Sequence, residues 1–308
     1  MSPEARPLLV SIVVATFNRP QALGNALRSI SLQTYTRFEV IVVNDGGLDV
    51  SDIVAQWRPL MSIRYVQLPA NAGLARARNV GVRHASGDII CFLDDDDTML
   101  AEHLQAGVRA LIEGDVEAAY VQVAVCDEFV APGAAPTASQ VKAHYKAAFD
   151  SRLLFICNFI PVNAVFIRRR SDVPLVFDED LRHLEDWDLW LRLHVHSGYR
   201  FRTVPVMTTV YHRVPGFASM TSHALSSADE SLRFRETFRL IARRYPSDDR
   251  VVVMGRALHD ELYAALAKAN AIAKPALAFA YERFVDSMDA FVNGRLDAAA
   301  VRRSIGIE

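Results

Sequence analysis

The strongest constraint on this chain is a rhythm in its first half. Short β-branched runs alternate with segments of helical spacing, joined by brief connections. Residues 9–15 (LVSIVVA) read as a fully buried strand. Pro20 opens a helix with Leu23, Leu27 and Ile30 on one face. Residues 38–43 form a second strand that ends at Asn44-Asp45-Gly46-Gly47, and a weaker helix covers about 49–57. A third strand spans 63–67, a helix 72–84, a fourth strand 88–93, a helix 99–112 and a fifth strand 118–125. Such alternation implies βαβ units: an α/β fold with a mostly parallel central sheet flanked by helices. Ligands of such sheets bind outside the carboxyl ends of the strands. The polar motifs fall at those ends: Thr16-Phe17-Asn18, Asn44-Asp45 and the run Asp94-Asp95-Asp96-Asp97.

The second half is less regular. Residues 131–139 (APGAAPTAS) read as loop, 159–168 as strand, 185–196 as helix and 200–211 as one or two strands. From about residue 224 the pattern is helical, with breaks near Pro246-Ser247 and Lys274-Pro275, which predicts a C-terminal helical extension able to serve as a dimer surface. The apolar stretch 153–167 is interrupted by Asn158, Pro161 and Asn163, so it reads as buried loop and strand rather than a membrane span. The start of the chain lacks the cationic segment and cleavage site of a signal peptide. Three widely spaced cysteines, Cys91, Cys126 and Cys157, suit reduced thiols better than a disulfide framework. The expected location is cytoplasmic, with room for a peripheral contact at the inner membrane face. A formal net charge of −2 gives no basic field for nucleic acid.

Two acidic groups stand out. At the end of a buried strand, "FLDDDD" offers Asp-x-Asp pairs in two registers, Asp94/Asp96 and Asp95/Asp97. Hard oxygen donors of this kind suit Mg²⁺ or Mn²⁺, while a neighbouring carboxylate can accept ribose hydroxyls. The competing reading is a solvated acidic turn in which Asp97 or Thr98 caps the next helix. In "HLEDWDLWLRLH", Glu185 and Asp186 open a helix. There they act either as favourable N-terminal charges or as a general base, since a carboxylate of pKa about 4 is ionised at neutral pH. Trp187, Trp190, Leu191 and His194 share a core face, and Asp188 and Arg192 suit a surface i,i+4 pair. Asp45 is either a base-edge acceptor or ordinary turn chemistry. Arg78 can reach a base or phosphate, and His212 can ligate a metal or be a satisfied histidine beside a strand.

Together, "VSIVVATFNRP", "FEVIVVNDGG", "NAGLARARNVGVRHASGDIICFLDDDD" and "HLEDWDLWLRL" resemble, in order and spacing, the family 2 glycosyltransferases of the Rossmann-like GT-A fold. The resemblance covers about residues 8–215. It implies a GT-A domain over 1–223, with a nucleotide-binding part to about 125, an acceptor part over 126–223 and a helical region over 224–308. It implies nucleotide contacts at Ala15, Thr16, Asn18, Asp45, Arg78, Asp94 and Asp95. A divalent metal, Mn²⁺ or Mg²⁺, would sit at Asp96 and Asp94 with His212, and Asp186 would be the base with Glu185 in reserve. The expected reaction is inverting, metal-dependent sugar transfer from a nucleotide sugar, UDP-linked for preference, to a saccharide or lipid-linked saccharide hydroxyl in bacterial surface polysaccharide assembly. A sugar-phosphate nucleotidyltransferase would show a glycine-rich basic N-terminal loop, which "ATFNRP" is not. A non-catalytic sugar-nucleotide-binding module would lack a competent base.

Overall fold

Strand β1 (Val10–Thr16) is buried at every position, as a strand covered on both faces must be. The computed structural model describes residues 6–214, 227–268 and 279–307. Helix α1 (Pro20–Ser31) starts at its proline and buries Leu23, Leu27 and Ile30. Strand β2 (Phe38–Asn44), helix α2 (Ser51–Ala55), strand β3 (Ser62–Gln67), helix α3 (Leu74–His84) and strand β4 (Ile89–Asp94) follow in the expected order. The sheet runs β3-β2-β1-β4 with every pairing parallel. The chain leaves β1 toward β2 on one side and returns as β4 on the other. This is the strand-order reversal where open α/β sheets bind ligands. The register sets Ala15 beside Asp94, so the turn after β1 and the aspartate run share one edge.

Beyond β4 the sheet is mixed. Strand β8 (Val165–Arg168) pairs antiparallel to both β4 and β6 (Ala118–Cys126), and β9 (Phe201–His212) runs parallel to β6. Two readings of the sequence change here. Thr98–Met99 is not helical; it forms strand β5, paired antiparallel to β9. Met99 donates its N–H to Ser29 Oγ and Leu100 donates to the Thr208 carbonyl, so a helix starting at Met99 would forfeit both bonds. Helix α4 therefore starts at His103 (His103–Glu113). A short strand β7 (Val141–Tyr145), antiparallel to β6, was not anticipated. Only the last part of 159–168 is strand; a single 3₁₀ turn, Val162–Ala164, precedes it.

Helix α5 (Ser151–Ile156) and helix α6 (Glu185–Val195) are tied together where Trp187 Nε1 donates to Leu154 O at 2.7 Å. Among the described residues four C-terminal helices follow: α7 (Ala228–Arg244), α8 (Arg250–Lys268), α9 (Ala280–Val292) and α10 (Ala298–Ile305). The orphan carbonyls at the end of α5 find partners on α8. Arg256 Nε donates to Phe155 O at 2.8 Å, and His259 Nδ1 meets Ile156 O at 2.8 Å. Phe238, Leu258, Leu262, Phe284 and Val301 belong to the same continuous apolar core as β1. These helices thus bury one face within the chain, while Leu232, Val253 and Met254 on them stay exposed. The expected break at Pro246-Ser247 lies between α7 and α8; the one at Lys274-Pro275 and the boundary at 223/224 lie outside the described residues. Cys91, Cys126 and Cys157 are buried and free. Among the described residues no helix is long and apolar enough to cross a membrane.

Candidate active site

The four consecutive aspartates divide among different partners, with Asp95 and Asp96 sharing Arg19. Asp94 Oδ1 lies 2.7 Å from Arg78 Nη2. Asp95 is fully buried, accepts the Thr16 hydroxyl at 2.6 Å and meets Arg19 Nη2 at 2.6 Å. Asp96 Oδ2 meets Arg19 Nη1 at 2.7 Å. Asp97 accepts Asn163 Nδ2 at 2.6 Å and the His212 backbone N–H at 3.0 Å. Asp97 is therefore no helix cap: α4 has Glu102 at its N-cap, and Asp97 instead ties β9 and the 3₁₀ turn to the end of β4. Asp94, Asp96 and Asp97 line the cleft. Burial pushes Asp95 up to about 7 and raises Asp96 and Asp97, and repulsion among the neighbouring carboxylates adds to each rise. Arg19, part of "TFNRP", had no role in the sequence reading; it supplies the cation against Asp95 and Asp96.

Across the cleft, Leu184 is the N-cap of α6, and its φ of 58° turns the chain so that Glu185 and Asp186 open the helix. Glu185 is buried and pairs with Arg78 Nη1 at 2.5 Å. Arg78 thus bridges two acids, one on β4 and one on α6, with its guanidinium 5.5 Å above the Phe177 ring. It is a strut between the two halves of the site rather than a free arm reaching toward a base. Burial raises Glu185 to about 7 against the pull of Arg78. For Arg78, burial works against the charged form, but Asp94 and Glu185 more than offset it, so the guanidinium stays cationic. Asp186 is half-buried and accepts from neutral donors, Asn158 Nδ2 at 2.9 Å and the Trp187 N–H at 2.8 Å. Burial raises its pKa above the ordinary carboxylate value, with Arg78 as the largest opposing influence.

The remaining nucleotide candidates divide. Ala15 lines the cleft and Thr16 is committed to Asp95. Asn18 is exposed at φ 56°, and its Oδ1 accepts the Leu48 N–H at 2.8 Å. That approach needs Gly47, where a Cβ would fall 2.7 Å from Asn18 Oδ1. Asp45 accepts the Ala72 and Gly73 amides at 2.8 and 2.9 Å, holding the loop that leads into α3. Asp45 and Arg78 therefore serve separate contacts. His212 departs from the expected ligand role. Its Nε2 accepts the Val130 N–H at 3.1 Å, which leaves Nδ1 to donate to the Asp96 carbonyl at 2.9 Å. With both nitrogens in backbone bonds and the pKa lowered by burial, the neutral ring offers no lone pair to a metal. Asp188 is also not a surface residue: it is buried against Arg244 and Tyr245, with Arg192 more distant at 3.9 Å.

The cleft encloses about 1300 Å³, open solvent at its mouth included. Its far wall comes from the C-terminal helices: Phe234, Tyr263, Leu266, Ala280 and Tyr281. No sequence motif marked them. Arg213, at the end of β9, also faces the cleft.

The family model for Glycosyl transferase family 2 matches residues 11–173. The chain belongs to this family. YwdF of Bacillus subtilis, named an uncharacterized glycosyltransferase, is 32% identical over 202 residues, 66% of this chain and 73% of the relative. AmsB of Erwinia amylovora, an amylovoran biosynthesis glycosyltransferase, is 26% identical over 219 residues, 68% and 71% of the two chains. Among solved structures, S. aureus TarS 1–349 in complex with UDP-GlcNAc matches at TM-score 0.60 and 19% identity, covering 96% of this chain and 81% of TarS. Mannosyltransferase PcManGT from Pyrobaculum calidifontis, in complex with GDP-Man and Mn²⁺, matches at TM-score 0.61 and 19% identity, covering 99% and 89%. At that identity the likeness establishes the fold, a mixed α/β sheet of GT-A type with C-terminal helices. This glycosyltransferase carries the aspartate run and Arg78 inside the family match, whereas Glu185 and Asp186 lie beyond its end and stand on their geometry.

Proposed function

We propose that this enzyme is an inverting, metal-dependent transferase that moves a sugar from a UDP-sugar to a saccharide hydroxyl, with Asp186 as general base. The carrying observation is the division of labour across one cleft: Glu185 is neutralised by Arg78, while Asp186 meets the cleft with neutral hydrogen-bond partners. A carboxylate not locked to a cation, and raised by burial, keeps the basicity needed to take a proton. The acceptor oxygen attacks the anomeric carbon as its proton passes to Asp186. The bond from that carbon to the diphosphate oxygen breaks, and the nucleoside diphosphate leaves on the opposite face. Positioned proton transfer of this kind contributes typically about 10²–10⁴-fold.

The aspartate run fits a divalent cation. It is an all-oxygen donor set, and Asp95 Oδ1 is buried without a hydrogen-bond partner beyond its ion contact with Arg19. A divalent ion of the Mg²⁺ or Mn²⁺ kind needs only one or two carboxylates when substrate phosphates complete its shell. Asp96 and Asp94 would hold it, and when bound it would offset charge on the departing diphosphate. The UDP-GlcNAc held by TarS supports the donor class, the Mn²⁺ held by PcManGT supports the metal, and the amylovoran enzyme supports a place in polysaccharide assembly.

Thermal shift with UDP and Mn²⁺ tests this reading. Wild-type protein gains stability only when both are present, by about 2.7 kcal/mol at one hundred times the dissociation constant. Asp96→Ala loses the Mn²⁺-dependent part of that gain. An unchanged Mn²⁺-dependent shift in the variant removes Asp96 from the metal site, and a shift with GDP alone reassigns the donor.

A further inference from the structure

The C-terminal helix α9 reaches into the base itself. Asn158, whose side chain holds Asp186 at 2.9 Å, follows the extended C-cap Cys157 of α5 and lies in neither a helix nor a strand. Its own backbone is gripped at two points by one group: the Tyr281 hydroxyl donates to Asn158 O at 3.1 Å and accepts from Asn158 N at 3.1 Å. The neighbouring residue fixes where Tyr281 stands. Glu282 is buried and pairs with Arg213 at 2.5 Å, and the Arg213 guanidinium also lies 4.8 Å over the ring of Phe279. The first turn of α9 is thus pinned to β9 on one side and to Asn158 on the other.

Resting on the reading of Asp186 as base, we infer that Tyr281 is a positioning residue for catalysis: its hydroxyl sets the Asn158 backbone so that the Asn158 amide aims Asp186 into the cleft. The chain of contact is Tyr281 to Asn158 to Asp186, joining elements separated by 123 and 28 residues in sequence. The C-terminal helical region is then part of the catalytic apparatus and not an appendage. A Phe at position 281 keeps the ring that packs at the cleft wall and removes only the two hydrogen bonds.

The test combines structure and kinetics on the full chain. Nucleoside diphosphate release is followed with Mn²⁺ and the nucleotide sugar that wild-type protein hydrolyses fastest among UDP-, GDP- and dTDP-linked hexoses. Tyr281→Phe is expected to lower kcat roughly 10- to 100-fold, the scale on which small misplacements act, with the donor KM unchanged. It should add nothing in an Asp186→Asn background, because residues acting through one group are not additive. In its crystal structure the Asn158–Asp186 contact should be lost. Wild-type kcat in a folded Tyr281→Phe protein, or a full multiplicative loss on top of Asp186→Asn, overturns the inference. If Tyr281→Phe does not fold, Asn158→Ala cuts the same chain and should give the same split; wild-type kcat there is equally decisive. Failure of the base reading is separate: Asp186→Asn would then turn over like wild type. In that case the crystal structure decides the coupling, and a 2.9 Å contact retained in Tyr281→Phe ends it.

Discussion

Asp186→Asn lowers turnover by roughly 10²–10⁴-fold and leaves donor binding intact. The substitution preserves size and the contact region around Asn158 but removes the proton acceptor. Donor affinity is read by thermal shift with UDP and Mn²⁺, and turnover by nucleoside diphosphate release. Because burial raises the Asp186 carboxyl, the base works only above a pKa higher than the usual value of about 4. Wild-type turnover should fall as pH drops through that raised value, and the limb should vanish in the variant. Near-wild-type turnover would move the base elsewhere in the cleft, with Glu185 the next carboxylate to test.

Arg78→Met should be the most destabilising single change in the site. The side chain is almost fully buried and is shared by Asp94 and Glu185. Removing it leaves Glu185 buried against the negative end of β4 with no cation. Breaking a buried pair in this one-sided way costs about 3–5 kcal/mol. At about 2–4 °C per kcal/mol for a chain approaching this size, the melting temperature should fall by roughly 10 °C. Methionine fills much of the volume, so packing loss is the smaller part. A melting temperature within about 2 °C of wild type, well inside the spread of ordinary surface substitutions, would mean that Arg78 reaches for ligand and not for structure.

The parallel half of the fold was legible because its strands are buried on both faces and read as unbroken apolar runs: LVSIVVA before the first turn, IICFL before the aspartates. The edge was harder. Thr98-Met99 opens a segment of helical spacing, yet the hydrogen bonds offered by Ser29 and Thr208 from elsewhere in the chain hold it as strand. The alternation V-K-A-H-Y over 141–145 was a period-two signal, short enough to pass for loop.

At the site, the residue types were visible and their partners were not. Four adjacent aspartates look alike in sequence. What separates them is Arg19, 77 residues from Asp96; Asn163, 66 residues from Asp97; and the backbone of His212, 115 residues from Asp97. His212 itself is spoken for by the Val130 amide and the Asp96 carbonyl, which no local pattern announces. Tyr281 lies still further from any motif, and its relation to Asp186 exists only through the fold.

The configuration of the product tests the account most directly. With the acceptor oxygen attacking opposite the leaving diphosphate and Asp186 taking its proton, one displacement must invert the anomeric carbon. NMR coupling constants of the first-formed glycoside from an α-linked nucleotide sugar should therefore report a β linkage. An α product would require a second displacement or a front-face route and would contradict Asp186 as the base of a single inverting step.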